Sequence, residues 1–334
     1  MPKYKIFFGA YAKNILYGEF DGSTGEIIIT GESPEIHNPS YLQLSSRYGH
    51  ILYGVSENDD GEIFSLDLRE NKIISNRKTN GKHPCHLCVT HYNLAVAANY
   101  SEGSLSIFET DDYGGIKPSC QSIKHYGKSV NPNRQTQSHA HFAKTSPDYK
   151  YLAVCDLGLD KVFFYPYSPE NGLCLNARII DCPPGSGPRH LIFSKDSEYL
   201  YILTELKNTV LAYKYNGGEP EFMQEIPTLP SDFSGQSTAA AIFISPDGKL
   251  LGASNRGCDS IALFNIKDNG GLEFARYIND CKEPRDFRFS PDNKYILSAN
   301  QNGGCVTVYD TKDFSQVSSL KITKPVCILF GEEI

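Results

Sequence analysis

A unit of 45 to 55 residues recurs along this chain, and no other feature narrows the possible folds as far. Its plainest copy runs Pro188-Arg189-His190-Leu191-Ile192-Phe193-Ser194-Lys195-Asp196, then Tyr199 to Glu205, then Val210 to Tyr213. A second runs Pro284-Arg285-Asp286-Phe287-Arg288-Phe289-Ser290-Pro291-Asp292, then Tyr295 to Gln301, then Val306 to Tyr309. The same grammar begins at Pro39, at Pro84, near His139 and near Ala239. Each unit consists of short runs rich in β-branched and aromatic residues, parted by Pro-Asp, Asn-Gly or Gly-Gly turns, with little helical periodicity. That is a four-stranded antiparallel sheet, the blade of a β-propeller.

Six starts are complete, and a seventh, Pro325-Val326-Cys327-Ile328-Leu329-Phe330, lies at the end of the sequence. Ile6-Phe7-Phe8-Gly9-Ala10-Tyr11 and Ile15-Leu16-Tyr17 lack a start of their own and match second and third strands. The N- and C-terminal strands are therefore expected to share one blade, which closes the ring and removes exposed sheet edges. The predicted fold is all-β, a seven-bladed propeller forming one domain over residues 1–334. Segments 111–138 and 216–238 are longer than ordinary connections and are candidate functional loops.

If the first strand of each blade is innermost, its start lies beside the end of the second strand at one mouth of the central channel. That rim then carries Tyr41 with Glu57, His86 with Asn99 and Tyr100, and His139 and His141 with Asp156. It continues with Arg189 and His190 beside Glu205, Ala240 beside Asn255 and Arg256, Arg285 and Asp286 beside Asn300 and Gln301, and Cys327 beside Ala10 and Tyr11. Convergent arginine, histidine and carboxylate suit anion binding and proton transfer. Glu57, Asn99, Asp156 and Asn300 stand at equivalent positions and suit a structural role, whereas Arg189, Glu205, Arg256 and Arg285 differ between blades.

Several function classes fall away. With 32 Lys and Arg against 39 Asp and Glu, the net charge is −7 and no basic block occurs, so neither nucleic acid nor an anionic membrane is an expected partner. No apolar run reaches the roughly 18 residues of a membrane span. The ten cysteines are scattered, mostly inside apolar runs, which suggests reduced thiols and a cytoplasmic protein. The apolar stretch near the start reads as a strand rather than a signal peptide. His139-x-His141 has period two, which on a strand turns both imidazoles to one face, but it lacks further ligands nearby for zinc, and Cys85-x-x-Cys88 has no partnering pair. Pro183-Pro184-Gly185-Ser186-Gly187 lacks the lysine of a phosphate-binding loop, and no Gly-x-Ser-x-Gly elbow is present. A calcium site of Glu57, Asn99, Asn255 and Asn300 and a non-catalytic scaffold are rival readings of the rim.

The residues resemble a known group, the seven-bladed propeller lactonases, which include propeller-type 6-phosphogluconolactonases and carboxymuconate lactonizing enzymes. The likeness rests on Ala98-Asn99-Tyr100, Asn131-Pro132-Asn133-Arg134-Gln135 leading to His139-Ala140-His141, and Asp156-Leu157-Gly158-Leu159-Asp160-Lys161-Val162. It extends through Gly187-Pro188-Arg189-His190, Thr204-Glu205-Leu206, Ser254-Asn255-Arg256-Gly257-Cys258-Asp259, Pro284-Arg285-Asp286-Phe287 and Ala299-Asn300-Gln301. The resemblance implies a metal-independent, cofactor-free site on this rim, with His139 or His141, Arg189, Glu205 and Arg256 catalytic. The expected reaction is hydrolysis of an anionic lactone, most simply 6-phosphogluconolactone, by a monomer or weak homodimer; the alternative is a muconate-type lactonization. Glu205 or a histidine would act as base, with Arg189 and Arg256 stabilising the oxyanion. Arg285, His190, Asn255, Gln301, Asn99 and Arg134 are the candidates for binding substrate.

Overall fold

The computed structural model describes residues 2–168 and 172–334. Seven antiparallel sheets stand around a central channel. We number the blades by their innermost strands: Pro39–Leu44 in blade one, Pro84–Val89 in two, Ala140–Thr145 in three, Pro188–Phe193 in four, Thr238–Ile244 in five, Pro284–Phe289 in six and Pro325–Glu333 in seven. In blades one to six the strands follow in sequence from the channel outward; blade three also carries the short strand Gly172–Leu173 on Lys161–Ser168. In blade seven Pro325–Glu333 pairs with Lys3–Ala10, followed outward by Leu16–Asp21 and Ile27–Glu32. The two ends of the sequence thus close the ring in one sheet, as the repeat arithmetic implied.

Seven separate apolar clusters form the core, one at each interface between neighbouring blades. Phe142, Val162 and Phe164 of blade three meet Leu191, Leu200 and Ile202 of blade four in one of them. Because both faces of each sheet are covered, second strands such as Ile51–Ser56 and Tyr295–Asn300 are buried throughout, whereas the outermost strands alternate and face solvent on one side. The Ser-x-Asp turns are built alike: Ser245 and Ser290 donate to Asp247 and Asp292 at 2.6 Å and accept the N–H of Leu250 and Tyr295. The two long segments are partly strand, since Ile116–Lys124 and Glu221–Pro227 are the outer strands of blades two and four; residues 125–139 and 228–237 remain as rim loops.

One irregularity recurs in every blade and decides what reaches the channel. The innermost strand carries an extra residue near its start, so that Pro188 pairs with Thr204 but His190 with Leu203, and Pro284 with Asn300 but Asp286 with Ala299. Equivalent shifts occur in the other five blades. Such bulges break the two-residue alternation and turn the extra side chain aside. The residues so placed are Ser40, Cys85, His141, Arg189, Ala240, Arg285 and Val326.

Candidate active site

At the end of the second strand of blade four, Glu205 is 3% exposed and holds three guanidinium groups from three places in the chain. Arg189 of its own blade donates Nε to Oε2 at 2.8 Å, and Arg256 of blade five places Nη2 at 3.0 Å from the same oxygen. Arg134, from the rim loop, donates Nη2 to Oε1 at 2.6 Å and to the Tyr100 hydroxyl at 3.2 Å. Burial alone would raise the Glu205 pKa, but Arg256, Arg189 and Arg134 together hold it far below the carboxylate range. Arg189 is pushed down to about 10, by burial first and then by the charges of Arg256 and Arg285 against the pull of Glu205.

The loop that delivers Arg134 is firmly tied. Gln135 donates to the Leu157 carbonyl at 2.8 Å and to Asp160 at 2.7 Å, and Asn131 caps the turn by accepting the N–H groups of Asn133 and Arg134. Asp156 carries the first residues of blade three, accepting the His139 N–H at 2.8 Å and His125 Nδ1 at 2.6 Å.

Three buried imidazoles, His86, His141 and His190, pack together in the channel, with ring centroids 5.8 Å apart for His86 and His190 and 5.4 Å for His141 and His190. Burial pushes all three well below the ordinary histidine pKa, with Arg189 adding to it in each case, so all three are neutral. His190 Nε2 lies 3.0 Å from Arg189 Nη1 and is the acceptor there, which puts its proton on Nδ1. His141 Nδ1 is buried with no hydrogen-bond partner. Beyond His86, Tyr41 and Phe142 continue the packing at 3.9 and 4.0 Å, forming an aromatic floor under the charged layer.

On the far side of the channel, Arg285 lies over the Tyr11 ring at 5.4 Å and its Nη2 is 3.9 Å from Glu57, which accepts the Tyr11 hydroxyl at 3.0 Å. Gln301 has a buried, unpartnered Oε1 nearby in the same blade as Arg285. Nine of the eleven candidate residues therefore stand on or over the channel mouth: Arg134, His139, His141, Arg189, His190, Glu205, Arg256, Arg285 and Gln301.

The sequence reading needs correction at three points. His139 and His141 do not share a face, because His141 occupies the bulge while His139 precedes the strand, stacked on Tyr100 at 4.4 Å with Nδ1 donating to the Tyr100 carbonyl. Asn99 and Asn255 are placed as braces rather than binding groups. Both are wholly buried, Asn99 donating to Ser104 and Ser106 of its own blade and Asn255 to the Thr228 carbonyl at the start of the rim loop between blades four and five. Asn300 does the same with Thr307, and the amide oxygens of Asn255 and Asn300 accept the Thr228 and Ser298 hydroxyls, so these two oxygens are taken up by neighbouring side chains rather than turned with Glu57 to a shared ion. Finally, His190 serves the Arg189 guanidinium rather than open space.

A model of the family described as "Lactonase, 7-bladed beta-propeller" matches residues 5–330. The chain belongs to this family of propeller lactonases. It is a lactone-hydrolysing enzyme on that ground. A 6-phosphogluconolactonase of Bacillus subtilis is 29% identical to it, covering 100% of both chains, and one of Formosa agariphila is 32% identical over 87% of this chain and 86% of its own. The solved structure of a periplasmic gluconolactonase from Pseudomonas aeruginosa superposes with a TM-score of 0.92 at 32% identity, covering 99% of each chain. No helix among the described residues is long and apolar enough to cross a membrane.

Proposed function

We propose that this lactonase hydrolyses a phosphorylated sugar lactone, 6-phosphogluconolactone, with His141 as the base. The observation that carries the reading is an imbalance of charge. Four guanidinium groups, of Arg134, Arg189, Arg256 and Arg285, face two carboxylates, of Glu205 and Glu57, and the intervening histidines are neutral. Positive charge left over in a buried place favours an anionic ligand strongly. The likeness to two 6-phosphogluconolactonases supports the same substrate.

Glu205, saturated by three arginines, is a weak base and serves to set the guanidinium groups. His141 has a neutral ring and a free Nδ1, which suits it to take a proton from water. The water oxygen adds to the lactone carbonyl carbon, and the carbonyl oxygen becomes an oxyanion beside Arg189 and Arg256. Collapse breaks the bond to the ring oxygen, which takes the proton back from His141; the product is the open hydroxy acid.

The test is acid release from fresh 6-phosphogluconolactone, measured against spontaneous hydrolysis with and without EDTA. Acceleration that survives the chelator is expected. No acceleration, or turnover of a carboxymuconate in its place, would overturn this reading. The variant His141→Asn is expected to lower kcat by about 10²- to 10⁴-fold, the range of a lost general base, while keeping the propeller's circular dichroism.

A further inference from the structure

The base proposed above and the loop arginine come from different elements, and one side chain touches both. Tyr100 follows the second strand of blade two, Leu94–Asn99, at the place that Glu205 takes after Tyr199–Thr204 in blade four. Its backbone is fixed from both directions: the N–H donates to the His83 carbonyl at 3.0 Å, and the carbonyl accepts the Gly103 N–H at 3.3 Å and His139 Nδ1 at 2.9 Å. His139 also covers one face of the ring, stacked at 4.4 Å and 14° from parallel. The tyrosine has little freedom of its own.

Arg134 is in the opposite condition. It arrives on a loop with 38% of its side chain exposed, against 3% for Arg189 and 13% for Arg256, so it is the least confined of the three guanidinium groups on Glu205. Besides the Glu205 carboxylate, its one hydrogen-bonding side-chain partner among the described residues is the Tyr100 hydroxyl at 3.2 Å. Both contacts fall on Nη2, which leaves Nε and Nη1 unspent for an anion. Holding an arginine side chain still costs about 2 kcal/mol of rotamer entropy, and a bond to a fixed hydroxyl offsets part of that before substrate arrives.

The ring of Tyr100 serves the other side. Its centroid lies 5.7 Å from that of His141 at 82°, an edge-to-face contact, and with His190 at 5.4 Å it walls the imidazole whose Nδ1 is open. The charged groups acting on that imidazole are Arg189, Glu205, Arg285 and Arg256, so an aromatic wall keeps water away without adding a further charge.

We infer that Tyr100 is a positioning residue of this active site: its hydroxyl holds Arg134 ready for the anionic part of the substrate, and its ring sets the His141 imidazole. His139 then acts at one remove, by clamping Tyr100. The inference rests on the lactonase reading above and adds to it a residue that reading does not use.

The experiment compares wild type, Tyr100→Phe and Tyr100→Leu on 6-phosphogluconolactone, with kcat and KM measured across the acid limb of the pH profile. Tyr100→Phe keeps the ring and loses the hydroxyl, so KM is expected to rise about tenfold, as for one charge-assisted hydrogen bond, with kcat changed by less than about threefold. Tyr100→Leu loses the wall as well. Its kcat should fall by about 10- to 100-fold, and the acid limb of kcat/KM should move up towards the ordinary histidine value of about 6.5 as water reaches His141. A purely structural tyrosine would change the amount of folded enzyme, seen by circular dichroism, and leave KM and the acid limb in place. A wild-type KM in Tyr100→Phe, or a kcat loss there as large as in Tyr100→Leu, overturns the inference and leaves the lactonase reading standing; Tyr100→Phe decides alone if Tyr100→Leu does not fold. A wild type that does not accelerate hydrolysis overturns both.

Discussion

Blades four and six begin almost identically, Pro188-Arg189-His190 against Pro284-Arg285-Asp286, with the same bulge and the same channel-facing arginine. Their arginines are nevertheless in different chemical states. Arg189 has a carboxylate at the end of its own second strand, Glu205 at 2.8 Å, and a neutral imidazole beside it. Arg285 has Gln301 at the matching place and must look across the channel to Glu57 at 3.9 Å, with Tyr11 beneath it. The following residue differs too: Asp286 turns to Arg288 at 3.1 Å and to the Ile328 N–H at 2.8 Å, where His190 turns back to Arg189. The repeat fixes where a guanidinium stands, and the residue supplied by the neighbouring strand fixes what it can do.

The sharpest way to break this comparison is to remove the carboxylate from blade four. Glu205→Ala leaves three guanidinium groups without their shared partner and is expected to cost about 3–5 kcal/mol of stability in urea, as for a buried ion pair broken from one side. The matching change in blade six, Gln301→Ala, should cost less than about 1 kcal/mol because no charge is stranded. Equal losses would show that the two sites are energetically alike.

Next in size is the effect on turnover. Arg189→Ala should lower kcat by about 10²- to 10³-fold, as for an oxyanion donor, against about tenfold in kcat/KM for Arg285→Ala. Comparable losses in kcat for the two would place Arg285 at the reacting carbonyl as well.

A third prediction concerns pH. His86, His141 and His190 have folded pKa values below the ordinary 6.5, so below that pH the unfolded chain binds protons that the folded one refuses. Stability contributed by their neutral burial is full above pH 6.5 and falls as pH drops below it, by about 1.4 kcal/mol per pH unit for each histidine, or about 4 kcal/mol per unit for three. His190→Phe should remove about a third of that slope, measured as urea midpoints between pH 6.5 and 5. A slope unchanged by the substitution would mean that His190 is protonated when folded, and the blade-four arginine would lose its neutral acceptor.

Much of this was legible in the sequence because repeats carry both fold and position. Seven starts gave seven blades, and pairing each start with the end of the next strand gathered Arg189, Glu205, Arg256 and Arg285 around one opening. The choice between His139 and His141 was also open to counting: His141 precedes Ser146 by the same five residues that separate Arg189 from Ser194 and Arg285 from Ser290. Strand ends alone did not separate a side chain that faces the channel from one wedged inside its blade, which is why Asn99 and Asn255 were placed with the binding groups. The rule also passes over loops, so it gave no way to see that Arg134 reaches Glu205.

The bulge in each innermost strand turns the ring into seven interchangeable slots around a fixed opening. Here they hold serine, cysteine, histidine, arginine, alanine, arginine and valine, and none of these side chains is needed to define its own blade's strand order. A mutation in a slot redraws the electrostatic outline presented to a small molecule while the seven apolar interfaces carry the architecture. Such a ring can explore new substrates one spoke at a time.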